Sequence, residues 1–440
     1  MKKIVPLLLA GGLFAGASQA ADLLSVYREA LTYDAQYAAA RAALDAGREK
    51  LPQGRSGLLP TLSVGANTTW NDVDSTSRST QVLTERKYNT NGWTATLTQP
   101  LFRWQNWVAY TQSELAVAIA EAQFEAARMD LIVRSAQAYF DVLLAQDALA
   151  TAQAHKTAIA EQLESAKRNF EVGTATITDT HEAQARFDLV TAQEIAAESD
   201  LMVKRHAFQI LIGKAPEGLK PLKAGVTLAL PQPADMTKWV EMAETGAITV
   251  QVSQASLEVA RQEIQRQRAG HYPTLDLVAT RGRSSVTGAT TSSTGGSDGN
   301  SNTVGFSLTV PLFAGGAVMS KDREAVALKE KALADLDTAR RSAALSARQA
   351  YLGVTSGLAQ VKAYEAALTS STSAVDSTKL GYEVGVRINI DVLNAQTQLF
   401  DTKQKLAKAR LDTLGALLKL KAAAGTLNED DLQAVNALLN

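Results

Sequence analysis

Ten prolines punctuate this chain of 440 residues, and their placement limits its fold more than any other feature. They stand at positions 6, 52, 60, 100, 216, 221, 231, 233, 273 and 311, which leaves Leu101–Ala215 and Leu312–Asn440 without one. A proline inside a helix costs about 3 kcal/mol, so these two tracts are open to very long helices. Between Trp107 and Val172 glycine is absent as well, and Ala, Leu, Glu and Gln dominate. At the helical rise per residue that stretch alone would reach ~100 Å. A helix of that length cannot bury itself in a globule and must pair along its length.

A pairing seam is visible. Ala183, Phe187, Val190, Glu194, Ala197, Leu201, Lys204, Phe208 and Leu211 follow the 4-3-4-3 alternation of a coiled coil. Alanine is frequent along it, which allows close approach and suits large, shallowly packed helix arrays.

Two other regions carry the opposite signal. Pro60–Phe102 and Pro273–Phe313 are poor in helix formers and rich in Thr, Ser, Val, Gly and aromatics. They predict four strands, over Thr61–Asp74, Lys87–Phe102, Thr274–Val286 and Thr303–Phe313. Each is long enough to cross a bilayer as a tilted strand, which takes about 9–11 residues. Ser284–Thr303, almost wholly Ser, Thr, Gly and Asn, is expected to be an exposed loop. Trp70, Trp93, Trp104 and Trp107 lie in or beside the first strand pair, where an aromatic girdle at a membrane interface would put them.

The N-terminus reads as an export signal over 1–20. Lys2 and Lys3 precede the apolar run Ile4–Ala17, and Ser18-Gln19-Ala20 offers small residues for cleavage before Ala21. No later segment has 18 consecutive apolar residues, so a spanning part would have to be a β-barrel. Lys and Arg number 44 against 45 Asp and Glu, without the basic surplus of a nucleic-acid binder. The absence of cysteine excludes disulfides, thiolate metal sites, cysteine nucleophiles and acylation of an N-terminal cysteine.

The chain repeats itself. Pro60-Thr61-Leu62 returns as Pro273-Thr274-Leu275, Pro100-Leu101-Phe102 as Pro311-Leu312-Phe313, and Gln137-Ala138-Tyr139 as Gln349-Ala350-Tyr351. Phe170-Glu171-Val172-Gly173 returns as Tyr382-Glu383-Val384-Gly385, Asp179 as Asp391 and Gly213 as Gly425. Two repeats are therefore expected, 21–225 and 226–440. Each runs helix, two strands, long helix, a break at Val-Gly and a further helix. Four strands cannot close a barrel, and an open sheet edge cannot face lipid. The chain must then oligomerise, and geometry alone allows two, three or four copies.

These motifs, in this order and spacing, resemble the TolC family of outer-membrane channel-tunnels over nearly the whole chain. The resemblance rests on Leu59-Pro60-Thr61-Leu62 with its repeat, the Pro-Leu-Phe strand ends, and Ile177-Thr178-Asp179. Gly381-Tyr382-Glu383-Val384-Gly385-Val386-Arg387 and Ala424-Gly425-Thr426-Leu427-Asn428-Glu429 add to it. The missing cysteine sets the chain apart from the lipid-anchored efflux branch.

The resemblance implies an α+β membrane protein, a homotrimer sharing a 12-stranded transmembrane β-barrel continued by a long α-helical coiled-coil barrel. It implies an exit duct in the outer membrane of a Gram-negative bacterium, reaching into the periplasm. Its implied partners are a periplasmic adaptor, an inner-membrane ABC or proton-driven transporter and outer-membrane lipid, with type I protein secretion or multidrug efflux as its work.

Carried over by position, Tyr382 and Arg387 match a latch that closes against Thr178 and Asp179. Asp391 matches one of two aspartates ringing the aperture. The second position is Asn394, which implies weaker cation selectivity and weaker block by multivalent cations. Val172, Gly173, Thr174, Val384, Gly385 and Val386 match the turns where adaptor hairpins seat. The plainer reading makes Asp179 and Asp391 helix N-caps and the glycines simple helix breaks.

No catalytic constellation, cofactor motif or metal site stands out. His155, His181, His206 and His271 are scattered, and no Gly-rich loop ends in Gly-Lys-Ser/Thr. Thr426 with Glu429 reads as a capping box for a last short helix. The competing class is a non-conducting periplasmic coiled-coil adaptor or spacer, which has no reason to carry two strand pairs with clustered tryptophan.

Overall fold

The computed structural model describes residues 21–440 except 216–217, 224 and 291–294; the expected export signal lies outside the described residues. The chain divides into two units, and each draws on both sequence repeats.

One unit, residues 40–125 and 248–341, contains the whole sheet. Its strands are β1 (Thr61–Thr76), β2 (Leu83–Phe102), β3 (Thr274–Thr287) and β4 (Ser297–Thr309), antiparallel in the order β1-β2-β3-β4. The central pairing, β2 with β3, joins the first repeat to the second, with Leu97 opposite Ala279 and Trp93 opposite Arg283.

Alternation along the strands separates two faces. One carries Leu62, Val64, Ala66 and Trp70 of β1, Leu97, Ala95 and Trp93 of β2, Leu277 and Ala279 of β3, and Leu308, Phe306 and Val304 of β4. The other is lined by hydroxyls and glycine: Ser63, Thr69, Thr94, Thr96, Thr280, Ser301, Thr303 and Ser307, with Gly65, Gly92, Gly282, Gly299 and Gly305. Large residues on one face and minimal ones on the other fit a sheet that curls with the hydroxyl face inside. The apolar band also crosses the register obliquely. It ends at Trp70 on β1, which faces Asn89, but at Trp93 on β2, which faces Ala66, and at Ala279 on β3, in line with Leu97. A band held level by a bilayer crosses tilted strands in this way.

β3 and β4 extend to Thr287 and from Ser297, so most of the expected Ser284–Thr303 loop is strand, and β4 lies earlier than Thr303–Phe313. At the outer end of such a sheet both faces meet polar surroundings. The strand there lacks the apolar alternation that identifies one in sequence. At the opposite end, Arg103 grips Asp276 of β3 with two bonds, Nε to Oδ1 at 2.8 Å and Nη2 to Oδ2 at 2.6 Å. Helix α3 (Lys50–Ser56) precedes β1, and α7 (Ile248–Arg268) precedes β3.

The other unit, residues 21–39, 126–247 and 342–440, is mainly helical. It takes in α1 (Leu23–Tyr33), α5 (Ile177–Ile212), α6 (Met236–Gly246), α9 (Asn389–Ala423), α10 (Glu429–Asn436) and the C-terminal parts of α4 (Trp104–Glu171) and α8 (Ala317–Glu383). Helix α2 (Ala35–Arg48) runs from this unit into the other. The pairing tracts appear as single helices of 68 and 67 residues, each followed by one of 36 or 35. None of the helices is long and apolar enough to cross a membrane among the described residues.

The seam read on α5 is real. Ala183, Val190, Leu201, Phe208 and Leu211 are buried. Its two charged positions are ion pairs with α4, Glu194 with Lys156 at 2.7 Å and Lys204 with Asp141 at 3.2 Å. The main core gathers Leu23, Val26, Leu131, Tyr139, Phe208, Leu418 and Leu432. A fully buried side chain of this kind is worth about 1.5–3 kcal/mol. Helix α10 is capped by Asn428 with Asp431, not by Thr426 with Glu429: the chain turns at Gly425, φ 72°, and becomes helical two residues later than the motif suggests.

Candidate functional site

The two Val-Gly turns share one backbone. In the first, the amides of Thr174 and Ala175 donate to the carbonyl of Asn169 at 2.8 and 3.1 Å; in the second, those of Val386 and Arg387 donate to Gly381 at 2.8 and 2.9 Å. Gly173 and Gly385 have φ of 77° and 76°. Open space surrounds the place of a Cβ at both, so the left-handed backbone, not crowding, calls for glycine. Val172, Val384 and Val386 are 71 %, 65 % and 79 % exposed. The turns thus present apolar side chains to solvent, a surface suited to a partner.

Past the turns the two copies part. Helix α5 opens with a capping box. Thr176 Oγ1 accepts from the Asp179 amide at 3.3 Å, and Asp179 Oδ2 accepts from the Thr176 amide at 2.9 Å and hydroxyl at 2.8 Å. The N-cap is therefore Thr176, with Asp179 three residues inside. At α9 the N-cap is Ile388, which has no capping side chain, and Asp391 lies in the first turn as Asp179 does in α5. The aspartates are not themselves the caps, because the chain enters the helix three residues before each.

The second turn is tied instead to helices of the first copy. Asn169 Nδ2 donates to the Tyr382 hydroxyl at 2.9 Å. Gln162 Nε2 donates to Asn389 Oδ1 at 2.5 Å, and Asn389 Nδ2 donates to the Asp179 carbonyl at 3.2 Å. Arg186 donates to Asn394 Oδ1 at 2.9 Å. Asn389 is 2 % exposed, and its bond with the buried Gln162 forms away from solvent, where an unmade one costs most, while the Arg186–Asn394 bond lies at the surface.

Of the residues singled out in the sequence, Tyr382 meets Asn169, and Arg387 lies 3.6 Å from Asp391 on its own helix pair. Among the described residues neither bonds to Thr178 or Asp179; Asp179 joins the second copy only through its main-chain carbonyl. Asn394 is held by Arg186. Sequence reasoning missed Asn169, Gln162, Arg186 and Asn389. The repeat carried a signal for Asn389, which stands 212 residues from the apolar Ile177.

Farther along the same helices, a cavity of about 530 Å³ opens among α4, α5 and α9, with Ala148, Thr151, Gln193, Asp200, Thr397 and Asp401 in its lining. His155, 6 % exposed, stacks on Phe400 with ring centres 4.6 Å apart, and its Nε2 is buried without a hydrogen-bond partner. Burial, and then the charge of Arg186, hold its pKa below the usual histidine value. Among the described residues no group of His, Cys, Asp or Glu could hold a metal ion.

Comparison with known proteins agrees with this architecture. The outer membrane efflux protein family matches twice, over residues 26–214 and 239–426. Outer membrane protein TolC of Escherichia coli strain K12 is 34 % identical over all of this chain and 90 % of its own. Alkaline protease secretion protein AprF of Pseudomonas aeruginosa is 34 % identical over 95 % of this chain and 87 % of its own. The crystal structure of the Vibrio cholerae outer membrane protein VceC superposes with a TM-score of 0.76 at 20 % identity, covering 92 % of this chain and 96 % of that one. A family match repeated in both halves, with relatives alike from end to end, fixes the assignment: the chain belongs to the outer membrane efflux protein family and is an exit duct of the Gram-negative outer membrane, extending into the periplasm.

Proposed function

We propose that three copies close their four-stranded sheets into one barrel of twelve strands. The apolar face then meets lipid, the hydroxyl face lines the pore, and the paired helices continue the duct. Four strands leave two open edges, which lipid cannot satisfy and neighbouring copies can. Two curated relatives are named for protease secretion, which supports secreted proteins as cargo. Two more distant ones, BepC of Brucella suis and SrpC of Pseudomonas putida, are named for efflux, the second for solvent efflux, which supports small-molecule efflux beside it. The duct performs no catalysis. An adaptor seats on the exposed apolar turns at Val172-Gly173-Thr174 and Val384-Gly385-Val386, and an inner-membrane ABC or proton-driven transporter supplies the energy.

The gate lies at the second turn. The observation that carries this reading is the set of bonds from Asn169, Gln162, Arg186 and the Asp179 carbonyl to Tyr382, Asn389 and Asn394. They hold an uncapped helix start against a capped one, so the uncapped pair is the one that can swing. Arg387 and Asp391 line the aperture, and the neutral Asn394 leaves it with fewer charges for cations than a double acidic ring. Single-channel conductance in a planar bilayer tests this with wild type beside a Tyr382→Phe, Arg387→Ser double variant. A small wild-type conductance that rises in the variant is expected. A pore without a rise would remove the gate from this turn, and no conductance from folded oligomer would favour the non-conducting class.

A further inference from the structure

Two arginines stand on the face of the sheet that otherwise carries the apolar band. Along β3 that face runs Leu277, Ala279, Arg281, Arg283, so the change from hydrocarbon to full charge takes one step. Both arginines are exposed, and both lie toward the end that leads to the β3–β4 hairpin, away from α7. Arg283 reaches Asp298 at 3.6 Å, while Arg281 has no ion-pair partner among the described residues.

Their register neighbours are uncharged hydrogen-bonding groups and an indole. Arg281 lies between Ala95 of β2 and Asn302 of β4, and Arg283 between Trp93 and Asn300. One alternation further on, β2 presents Asn91 on the same face. A charge on the lipid face is costly at mid-bilayer and nearly free at the interface. Arg281 and Arg283 therefore mark the level where hydrocarbon ends and headgroups begin.

We propose that Arg281 and Arg283, with Asn300, Asn302 and Trp93, form a binding site for the phosphate of a phosphorylated glycolipid in the outer leaflet. The guanidinium fork matches phosphate oxygens two at a time, which an ammonium cannot do. The asparagine amides supply donors and acceptors for sugar hydroxyls, and Trp93 sits where an indole serves an interface. Acyl chains of the same lipid continue down the band over Ala279, Leu277, Val304 and Phe306. The single carboxylate on this patch, Asp298, pairs with Arg283 and leaves Arg281 as the uncompensated charge. The site rests on the membrane placement given above and adds to it a lipid class and an address.

The test uses full-length oligomer extracted in detergent, titrated with bis-phosphorylated lipid A and with the same glycolipid stripped of phosphate. Bound lipid is counted by native mass spectrometry. Wild type is expected to prefer the phosphorylated lipid by about tenfold, as the loss of charge-assisted bonds implies. Arg281→Gln with Arg283→Gln should abolish that preference. Lys50→Gln with Arg55→Gln, on α3 at the other end of the sheet, should leave it intact. If the double variant does not assemble, Arg281→Gln alone must still reduce the preference. Equal binding of both lipids by wild type, or a preference kept by the Arg281 variant, overturns the site. Competition by inorganic phosphate at matched concentration would make it a soluble-anion site and overturn the lipid assignment. Wild type that stays dispersed without detergent would instead sink the membrane placement itself.

Discussion

The two hairpins of this chain have the same backbone and are fastened by opposite means. The first holds itself: Thr176 and Asp179 close a capping box within four residues of sequence. The second borrows its restraint, because Ile388 caps nothing and Tyr382, Asn389 and Asn394 depend on side chains and a carbonyl of the first copy. Duplication supplied two equal turns, and a few substitutions left one closed by its own cap and the other fastened by bonds from the first copy. Thr176 against Ile388 and Ile177 against Asn389, each pair 212 residues apart, account for most of the difference.

Asn389 offers the largest expected effect. Asn389→Ala removes a bond to the buried Gln162 and another to the Asp179 carbonyl. Leaving the Gln162 amide buried and unpaired costs about 1–3 kcal/mol. Conductance in a planar bilayer should rise and the thermal midpoint fall. Replacing both partners, Gln162→Leu with Asn389→Leu, should recover most of the stability, since no side-chain amide is then buried unpaired and only the bond to the Asp179 carbonyl stays lost. A variant as closed and as stable as wild type would show that the borrowed bonds do not hold the second hairpin.

Exchanging the caps sharpens the comparison further. Thr176→Ala should cost about 1 kcal/mol at the first hairpin, with little change in conductance. Ile388→Thr does the reverse. Ile388 already has the extended backbone of a cap, φ −100° and ψ 161° against −90° and 159° at Thr176, and Asp391 already stands in the third helical position. The substitution completes a second capping box and should stabilise that turn by a similar amount. It should also lower the open probability when Asn389→Ala is present. An unchanged open probability would separate helix capping from gating.

How far the sequence disclosed this follows from the range of each signal. Long helices, the seam on α5, the four strands and the duplication are periodic or compositional, and proline-free tracts together with a repeated Pro-Leu-Phe make them visible. The outer ends of β3 and β4 were hidden because Ser, Asn and Gly there satisfy water on one face and headgroups on the other, which erases alternation. The network at the second turn was hidden for another reason. Gln162 and Asn389 are 227 residues apart, and nothing local marks a glutamine on α4 as buried. Tyr382 was visible as a motif residue, but its partner Asn169 was not, because the first copy carries it where the second has Gly381.

A pH-graded effect is expected where α4, α5 and α9 surround His155. Burial lowers its pKa from the ordinary value near 6.5, so the packed state binds the proton less readily than the opened one. Its contribution to packing is whole above pH 6.5 and is lost as pH falls below that value toward the lowered pKa. The charges nearby are mixed, with Asp200 and Arg186 on α5, and Asp401, Lys403 and Lys405 on α9. Thermal melting between pH 7.5 and 5 should show a loss for wild type that His155→Phe reduces. Equal slopes for the two proteins would leave the histidine out of the acid response.

Arg387 should matter least in a single chain. Its pairing with Asp391 spans 3.6 Å between side chains 60 % and 35 % exposed, one turn apart on the same segment. Such a pair is worth about 0.2–1 kcal/mol and weakens with salt. Arg387→Ser should therefore shift stability by less than Asn389→Ala, and the shift should vanish at high ionic strength. Conductance is the sharper readout, because in the proposed oligomer symmetry repeats every link of an aperture in each copy. If Arg387→Ser alone opens the pore as far as Asn389→Ala does, its working partner lies on a neighbouring copy, and the second hairpin is fastened across subunits as well as across the repeat. A rise confined to low salt would instead leave Asn389, Tyr382 and Asn394 as the fastening, with Arg387 setting the charge of the opening.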